Sequence, residues 1–297
     1  MYRVFGSLAV CPSKVNTVFC EYGRVPQNYL DPTYKGSVMF FLKDIDNLID
    51  KLDGRVSYII TSADGSLDLR YAEKEKFPSA SIIKLPILWS VFTKVAKGEM
   101  ALTDEMPVHT ENIVIGYGIL RSLHVGITPT VEDMCLLMTA LSDNVATNML
   151  IDRLGFTSIN ADISACGMSN TVLARKMEDA EARTQGRDNF TSSHDVITLL
   201  KLFRNSEFLS EPLRNRILNI LGNQRYNNLI SHYMPSGFHF AHKTGDIPGT
   251  LHDVGILHSP AGKEYYIAVM CSDLADNIQG LKFLNDFGVR IFAELQN

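Results

Sequence analysis

From Gly36 onward the apolar positions fall into readable periods. Val38, Phe41, Leu42, Ile45, Leu48, Ile49 and Leu52 recur at helical spacing and stop at Asp53-Gly54, which predicts an amphipathic helix closed by a turn. Arg55–Thr61 is rich in β-branched and aromatic residues, Ala63-Asp64-Gly65-Ser66 carries turn chemistry, and Leu67–Tyr71 reads as a second strand. A long apolar run to about Lys97-Gly98 predicts the next helix. Between residue 100 and about 222 the pattern is helical. Thr130-Val131-Glu132-Asp133 opens a helix through Leu141 with a capping-box-like pair, Asn144–Leu154 stops at Gly155, and Ser158–Cys166 stops at Gly167. Ser192–Asn205 and Glu211–Leu221 are two more, the second with Pro212 in its first turn. Ala174–Asn189 is polar, heavily charged and without a period, and is expected to be a long surface loop of the kind that often carries function. After Gln224 the period returns to two. Phe238–Lys243, Leu251–His258 and Glu264–Ser272 read as strands, and Asp276–Leu295 closes the chain as an amphipathic helix.

Strands near both ends with helices between them predict an α/β protein of the α+β type. An antiparallel sheet built from both chain ends would be flanked by helices, with an all-helical lobe inserted. Residues 1–36, with Pro12, Pro26 and Pro32 and no sustained period, are expected to be an irregular arm. Residues 37–297 form one domain, its sheet part 37–99 and 223–297 and its lobe 100–222. No internal repeat is present.

Composition narrows the partners. The chain has 297 residues, 45% hydrophobic and 21% charged, so it is expected to be soluble with a sizeable core. A net charge of -5 offers no footprint for nucleic acid or an anionic membrane surface, which leaves a small-molecule or peptide-like substrate. No stretch approaches the roughly 18 apolar residues of a membrane span, so stable membrane insertion is not expected. The start has one basic residue and a short apolar stretch, brief for a signal peptide. The protein therefore either stays in the cytoplasm or has an export signal missing from this chain. Cys11, Cys20, Cys135, Cys166 and Cys271 are scattered and odd in number, which suggests free thiols rather than a zinc site or a disulfide framework.

Candidate chemistry begins at Phe77-Pro78-Ser79-Ala80-Ser81-Ile82-Ile83-Lys84-Leu85-Pro86. Ser81 stands at the mouth of an apolar helix, where N–H groups lack intrahelical partners and the macrodipole favours negative charge. It is either an ordinary N-cap or a nucleophile whose oxyanion would be stabilised there. Lys84, three residues on, shares its helix face and so lies within reach of the hydroxyl.

Two further motifs decide the matter. Ser142-Asp143-Asn144 lies 61 residues after Ser81 (142 − 81), and Lys243-Thr244-Gly245 ends a strand 101 residues after Ser142 (243 − 142). In this order the three motifs resemble the class A β-lactamases and related penicillin-binding proteins, for which the Ser-x-x-Lys, Ser-Asp-Asn, Lys-Thr-Gly set is a known signature. The resemblance runs from about Val38 to the C-terminus and includes Gly116-Tyr117-Gly118-Ile119-Leu120. It implies a β-lactamase/transpeptidase-like catalytic domain, a serine hydrolase acting through an acyl-enzyme on Ser81, and no metal or organic cofactor. Lys84 would take or relay the serine proton, helped by burial and by the nearby Lys243 cation. Ser142 would pass a proton to the departing ring nitrogen. Asn144 would bind the substrate's side-chain amide, and Lys243 and Thr244 would gather its carboxylate. The N–H groups of Ser81 and Asp246 would form the oxyanion hole, with Gly245 leaving room for the substrate backbone.

The loop departs from the family pattern. The family carries a glutamate in a Glu-x-x-Leu-Asn setting that activates water, and this chain has Arg175-Lys176-Met177-Glu178-Asp179-Ala180-Glu181-Ala182. Glu178 falls 36 residues after Ser142 (178 − 142), where that base is expected. Asp179 and Glu181 are rival bases, and Ala182 stands in place of the asparagine. His239, His242, His252 and His258 match no zinc motif and read as strand residues, His252 being also a candidate for the substrate carboxylate. Cys135 resembles half of a family disulfide whose partner position holds Leu88, so no bridge is expected. The reading is thus a β-lactam-opening serine hydrolase. Its rivals are a D,D-peptidase or esterase with the same acylation machinery, and a non-catalytic relative that binds penicillins or cell-wall peptides.

Overall fold

The computed structural model describes residues 18–20 and 37–296. Within the expected arm Val18–Cys20 (β1) is a strand, and the rest of the arm lies outside the described residues. Ser37–Ile49 (α1) precedes the hairpin of Arg55–Ser62 (β2) and Leu67–Tyr71 (β3). A two-residue strand, Phe77–Pro78 (β4), and a 3₁₀ turn, Ala80–Ile83, lead into Lys84–Ala96 (α2). Val131–Ala140 (α3), Asn144–Leu154 (α4), Phe156–Ala165 (α5) and the short Ala180–Thr184 (α6) follow. Then come Phe190–Thr191 (β5), Ser193–Asn205 (α7) and Glu211–Gly222 (α8). His239–Ile247 (β6), Thr250–His258 (β7), Glu264–Ser272 (β8) and Asn277–Leu295 (α9) complete the chain.

The main sheet has the order β1-β3-β2-β8-β7-β6. Every neighbouring pair is antiparallel except β1 with β3, which run parallel. β2 lies against β8 from Arg55↔Ser272 to Ser62↔Tyr265, and this pairing joins the two ends of the chain in one sheet, as the hydrophobic pattern predicts. Period-two alternation then sorts the side chains. Val56, Tyr58 and Ile60 of β2 and Ile267, Val269 and Cys271 of β8 pack on one face with Phe283, Phe287 and Ile291 of α9. Ile59, Val254, Ile256 and Ala268 face the other way, into a core shared with the lobe.

α2 is buried on every side from Lys84 to Thr93, as a helix that is apolar all round must be. It packs chiefly on α4 and α5 and so sits in the lobe, although in sequence it falls with the sheet part. The 3₁₀ turn Ala80–Ile83 that leads into it lies at the seam, against β6 and β7. The stretch 174–189 is not wholly irregular. It contains α6, capped by the Asp179 side chain, and it returns as β5 against β4 with Phe77↔Thr191 in register. Ser79 N donates to Asn189 O at 2.8 Å, which ties the loop's end to the chain just ahead of Ser81.

Candidate active site

Ser81 lies in the 3₁₀ turn that opens α2, with 9% of its surface exposed. Its hydroxyl does not cap the helix. Ser81 Oγ instead accepts a hydrogen bond at 2.8 Å from Ser142 Oγ, which comes from the link between α3 and α4. Ala80 and Ser142 have φ of 44° and 52°, and Glu178 has 62°. A non-glycine residue in this left-handed region holds about 1–3 kcal/mol of strain. Three of the five such residues among those described therefore lie at one place, as expected where the backbone serves a site rather than the fold.

Ser142 Oγ uses all of its bonding capacity. It donates to Ser81 and accepts from Lys84 Nζ at 3.0 Å and Lys243 Nζ at 3.2 Å. Lys84 also donates to Ser142 O at 2.7 Å and to Asn144 Oδ1 at 2.9 Å. The direct reach from Lys84 to Ser81 suggested by their spacing is thus replaced by a route through Ser142, because the buried ammonium finds three acceptors beneath that serine. Burial, and next the Lys243 charge, hold Lys84 well below the usual lysine range. Lys243 also has no exposed surface, and burial lowers it to about 7, opposed by the charge of Asp253.

Asp143 locks the frame. Its Oδ1 accepts from Ala146 N at 3.0 Å as the cap of α4, while Oδ2 accepts from Ile119 N at 2.7 Å and Leu120 N at 2.9 Å. This draws Gly116-Tyr117-Gly118 close over the site. A Cβ at Gly116 would stand 2.5 Å from Asn144 Nδ2, and one at Gly118 would stand 2.3 Å from the Asp143 carboxyl, so both positions require glycine. Asn144 Nδ2 donates to Glu178 Oε1 at 3.0 Å and to Ile115 O at 3.4 Å. Asn148, one turn further along α4, accepts from Met177 N at 2.8 Å and donates to Met177 O at 3.1 Å, fixing the residue before Glu178.

The three acidic residues of the loop separate in space. Glu178 lines a cavity of about 290 Å³ together with Ser81 and Asn144. Asp179 also lines it, but its Oδ1 caps α6 by accepting from Ala182 N at 2.9 Å, and Glu181 bonds Gln185 Nε2 at 3.2 Å on the exposed side. Ala182 is 1% exposed.

On β6, Thr244 and Asp246 line an adjoining cavity of about 310 Å³ with Ser81 and Ser142, while Lys243 lies beneath it. A Cβ on Gly245 would come within 3.2 Å of Ala80, Ile82 and His252, so this glycine lets the strand lie close against the serine turn. That is a different reason from the room for substrate inferred above. Asp246 Oδ2 accepts from the Tyr117 hydroxyl at 2.8 Å. Desolvation, and then that bond, push the phenol above its ordinary range.

His252 is not available to a substrate. It is fully buried, with Nε2 on Pro78 O at 2.7 Å and Nδ1 accepting from Cys271 N at 3.2 Å. Burial lowers it to about 4, so it is a neutral strut between β7 and the approach to Ser81. His242 is likewise internal, on Asp253 Oδ1 at 2.6 Å. Among the described residues Cys135, Cys166 and Cys271 are free, and no group of three or more His, Cys, Asp or Glu is placed to hold a metal ion. Sequence reasoning did not single out Asp143, Asn148, Tyr117 or Asn277 as contributors. The first two stood beside or one turn from Asn144, which is the signal that was there to be used.

The arrangement can activate a hydroxyl. A buried lysine, held well below the usual lysine range, is joined through one serine to a second serine at the mouth of two cavities, with an exposed carboxylate across from it. A family model described as the β-lactamase enzyme family matches residues 41–295. Among solved structures, a β-lactamase from Sphaerobacter thermophilus is 28% identical with a TM-score of 0.78, over 86% of this chain and 96% of that one. A mutant of PBP-A, solved as an acyl-enzyme complex with penicillin G, is 27% identical with a TM-score of 0.78 over the same shares, 86% and 96%. TLA-1, an extended-spectrum β-lactamase, is similar in fold at 21% identity and a TM-score of 0.80, over 89% of this chain and 100% of that one.

Proposed function

The chain belongs to the β-lactamase enzyme family and is a serine hydrolase of that kind, and within it we propose a class A-like enzyme that opens the β-lactam amide through an acyl-enzyme on Ser81. The observation that carries this is the buried hydrogen-bonded path from Ser81 Oγ through Ser142 Oγ to Lys84 Nζ. Hydroxyl protons rotate freely about their bonds. In the reverse direction of the same path, Ser81 gives its proton to Ser142 while Ser142 gives its own to the Lys84 lone pair. Ser81 Oγ then attacks the carbonyl carbon, and the oxyanion is held by the N–H groups of Ser81 and Asp246. The C–N bond breaks as the proton returns from Lys84 through Ser142 to the ring nitrogen.

The second half needs a base for water. Glu178 suits it better than its rivals, since Asp179 is spent on a helix cap and Glu181 points away. It would remove a proton from a water that attacks the ester, and Ser81 would leave with its proton restored. Asn144 would take the substrate's amide by giving up its longer bond to Ile115 O. Lys243 and Thr244 would gather the substrate carboxylate. The acyl-enzyme of PBP-A with penicillin G supports a β-lactam as the acyl donor.

One observation favours a second reading. By the resemblance, Ala182 stands where the family carries an asparagine, and an alanine offers no hydrogen bond to a water beside Glu178. Slow deacylation would give a penicillin-binding protein or D,D-peptidase rather than an efficient lactamase. Steady-state turnover of a chromogenic cephalosporin tests the proposal. Ser81→Ala is expected to reduce it by at least about 10³-fold, and turnover that survives the substitution contradicts it.

A further inference from the structure

A third cavity, of about 680 Å³, lies away from Ser81. It opens between α2, α5, α7 and the segment after α7, and it shares no lining residue with the two cavities beside the serine. Its size and its seat between packed helices are those of a small-molecule site. Trp89 of α2, Leu202 of α7 and Phe208, which is 52% exposed, give it an apolar wall.

Two polar atoms of the lining residues are left over. Thr93 is 6% exposed, and its hydroxyl has no hydrogen-bond partner among the described residues. A threonine inside a helix can turn its hydroxyl to the carbonyl four residues earlier, here Trp89 O, and Thr93 makes no such bond. Oδ2 of Asp162, from α5, is buried at the same cavity and is likewise unpartnered. Buried polar atoms are nearly always paired, and a carboxylate oxygen has the strongest need. Three other polar side chains of the cavity are already engaged. Thr198 Oγ1 donates to His194 O at 3.0 Å, Asn205 Nδ2 donates to the Tyr266 hydroxyl at 3.3 Å, and Ser206 Oγ accepts from Phe208 N at 3.2 Å. The nearby cations leave Asp162 Oδ2 unmet. Lys94 feels the Asp162 charge but bonds Glu99 Oε2 at 2.7 Å, Lys201 holds its ammonium 5.7 Å from the centre of the Tyr266 ring, and Lys97 is exposed.

We propose that this cavity is a second ligand site, for a small amphipathic amine whose ammonium pairs with Asp162 and whose aromatic body lies against Trp89 and Phe208. An ammonium brings donors and no acceptor, which is what an unpaired carboxylate oxygen lacks, and the Thr93 hydroxyl is a further acceptor in the same cavity. The inference is independent of how Ser81 acts.

Trp89 is the only tryptophan of the chain, so its emission, excited selectively, reports on this wall. Phenethylamine, phenethyl alcohol and phenylpropionate share a phenyl ring and differ in charge. The full chain is titrated with each, followed by Trp89 emission and by calorimetry, with and without Asp162→Asn. The expected order is amine, then alcohol, then acid, the amine tighter than the acid by about tenfold or more at low salt. Asp162→Asn keeps the shape of a side chain whose Oδ2 bonds nothing in the unmodified chain. It is expected to leave the melting temperature in place and to weaken the amine about tenfold, while the alcohol moves by less than about threefold. The order of the three probes on the unmodified chain tests the proposal even if the variant does not fold. No change in Trp89 emission with any probe, an acid that binds as tightly as the amine, or an amine whose affinity survives Asp162→Asn overturns it.

Discussion

The two sides of the cleft are built differently. On the acylation side Ser81, Lys84, Ser142 and Lys243 come from the 3₁₀ turn before α2, α2 itself, the α3–α4 link and β6, are buried, and meet at one oxygen with every lone pair and proton used. On the water side Glu178 is exposed, hangs from a loop, and is placed by one bond to Asn144 and by the Asn148–Met177 pair. A site held by packed elements keeps its geometry through many changes, whereas one held by a loop depends on a few bonds. Acylation should therefore be robust except at its own four residues, and deacylation fragile.

The contrast is broken most severely at Lys84. Lys84→Met should slow acylation by about 10³-fold, the usual reach of general-base catalysis. The same variant should also lower stability by about 1–3 kcal/mol, because it leaves Ser142 O and Asn144 Oδ1 buried without the donor that Lys84 supplies. Stopped-flow acylation and calorimetry check the two halves of this expectation.

Glu178→Gln sharpens the contrast, with deacylation falling by about 10²-fold while acylation changes less than threefold. Single-turnover kinetics separates the steps. A milder blow comes from Asn148→Ala, which touches no substrate. It should lower deacylation by about tenfold and cost about 1–2 kcal/mol in urea unfolding, the usual loss for buried backbone partners.

The smallest effect is a slope. Lys243 loses its proton at about 7 in the folded chain, against about 10.5 when unfolded, so between those values the unfolded chain holds a proton that the folded one does not. Stability then rises with pH across that window, by up to about 1.4 kcal/mol per pH unit from this group. Lys243→Met should flatten the rise between pH 7 and pH 10, and chemical denaturation across that range measures it.

The acylation side was legible in the chain because its residues sit in short motifs on elements whose period is clear. Ser81 and Lys84 mark the start of an apolar helix, and Lys243 ends a run of period two. What joins them was not legible. The side chain of Lys84 passes Ser81 for acceptors brought by a segment 58 residues away, a contact that helical spacing cannot report. The left-handed backbone of Ser142 and Glu178 goes against the preference of both residue types, so no propensity foretells it. β4 and β5, two residues each, are too short to carry a period, and their pairing was visible only once folded. His252 was read as a strand residue and, by position, also as a candidate for the substrate carboxylate, but its neighbours Pro78 and Cys271, distant in sequence, claim both of its nitrogens.

The most direct test of the account follows the intact mass of the protein over time after mixing with benzylpenicillin, for the unmodified chain, Ser81→Ala and Glu178→Gln. The expected result is an adduct of the drug's mass that appears and clears on the unmodified chain, persists on Glu178→Gln and never forms on Ser81→Ala. An adduct that forms on Ser81→Ala, or none on any of the three, would contradict it.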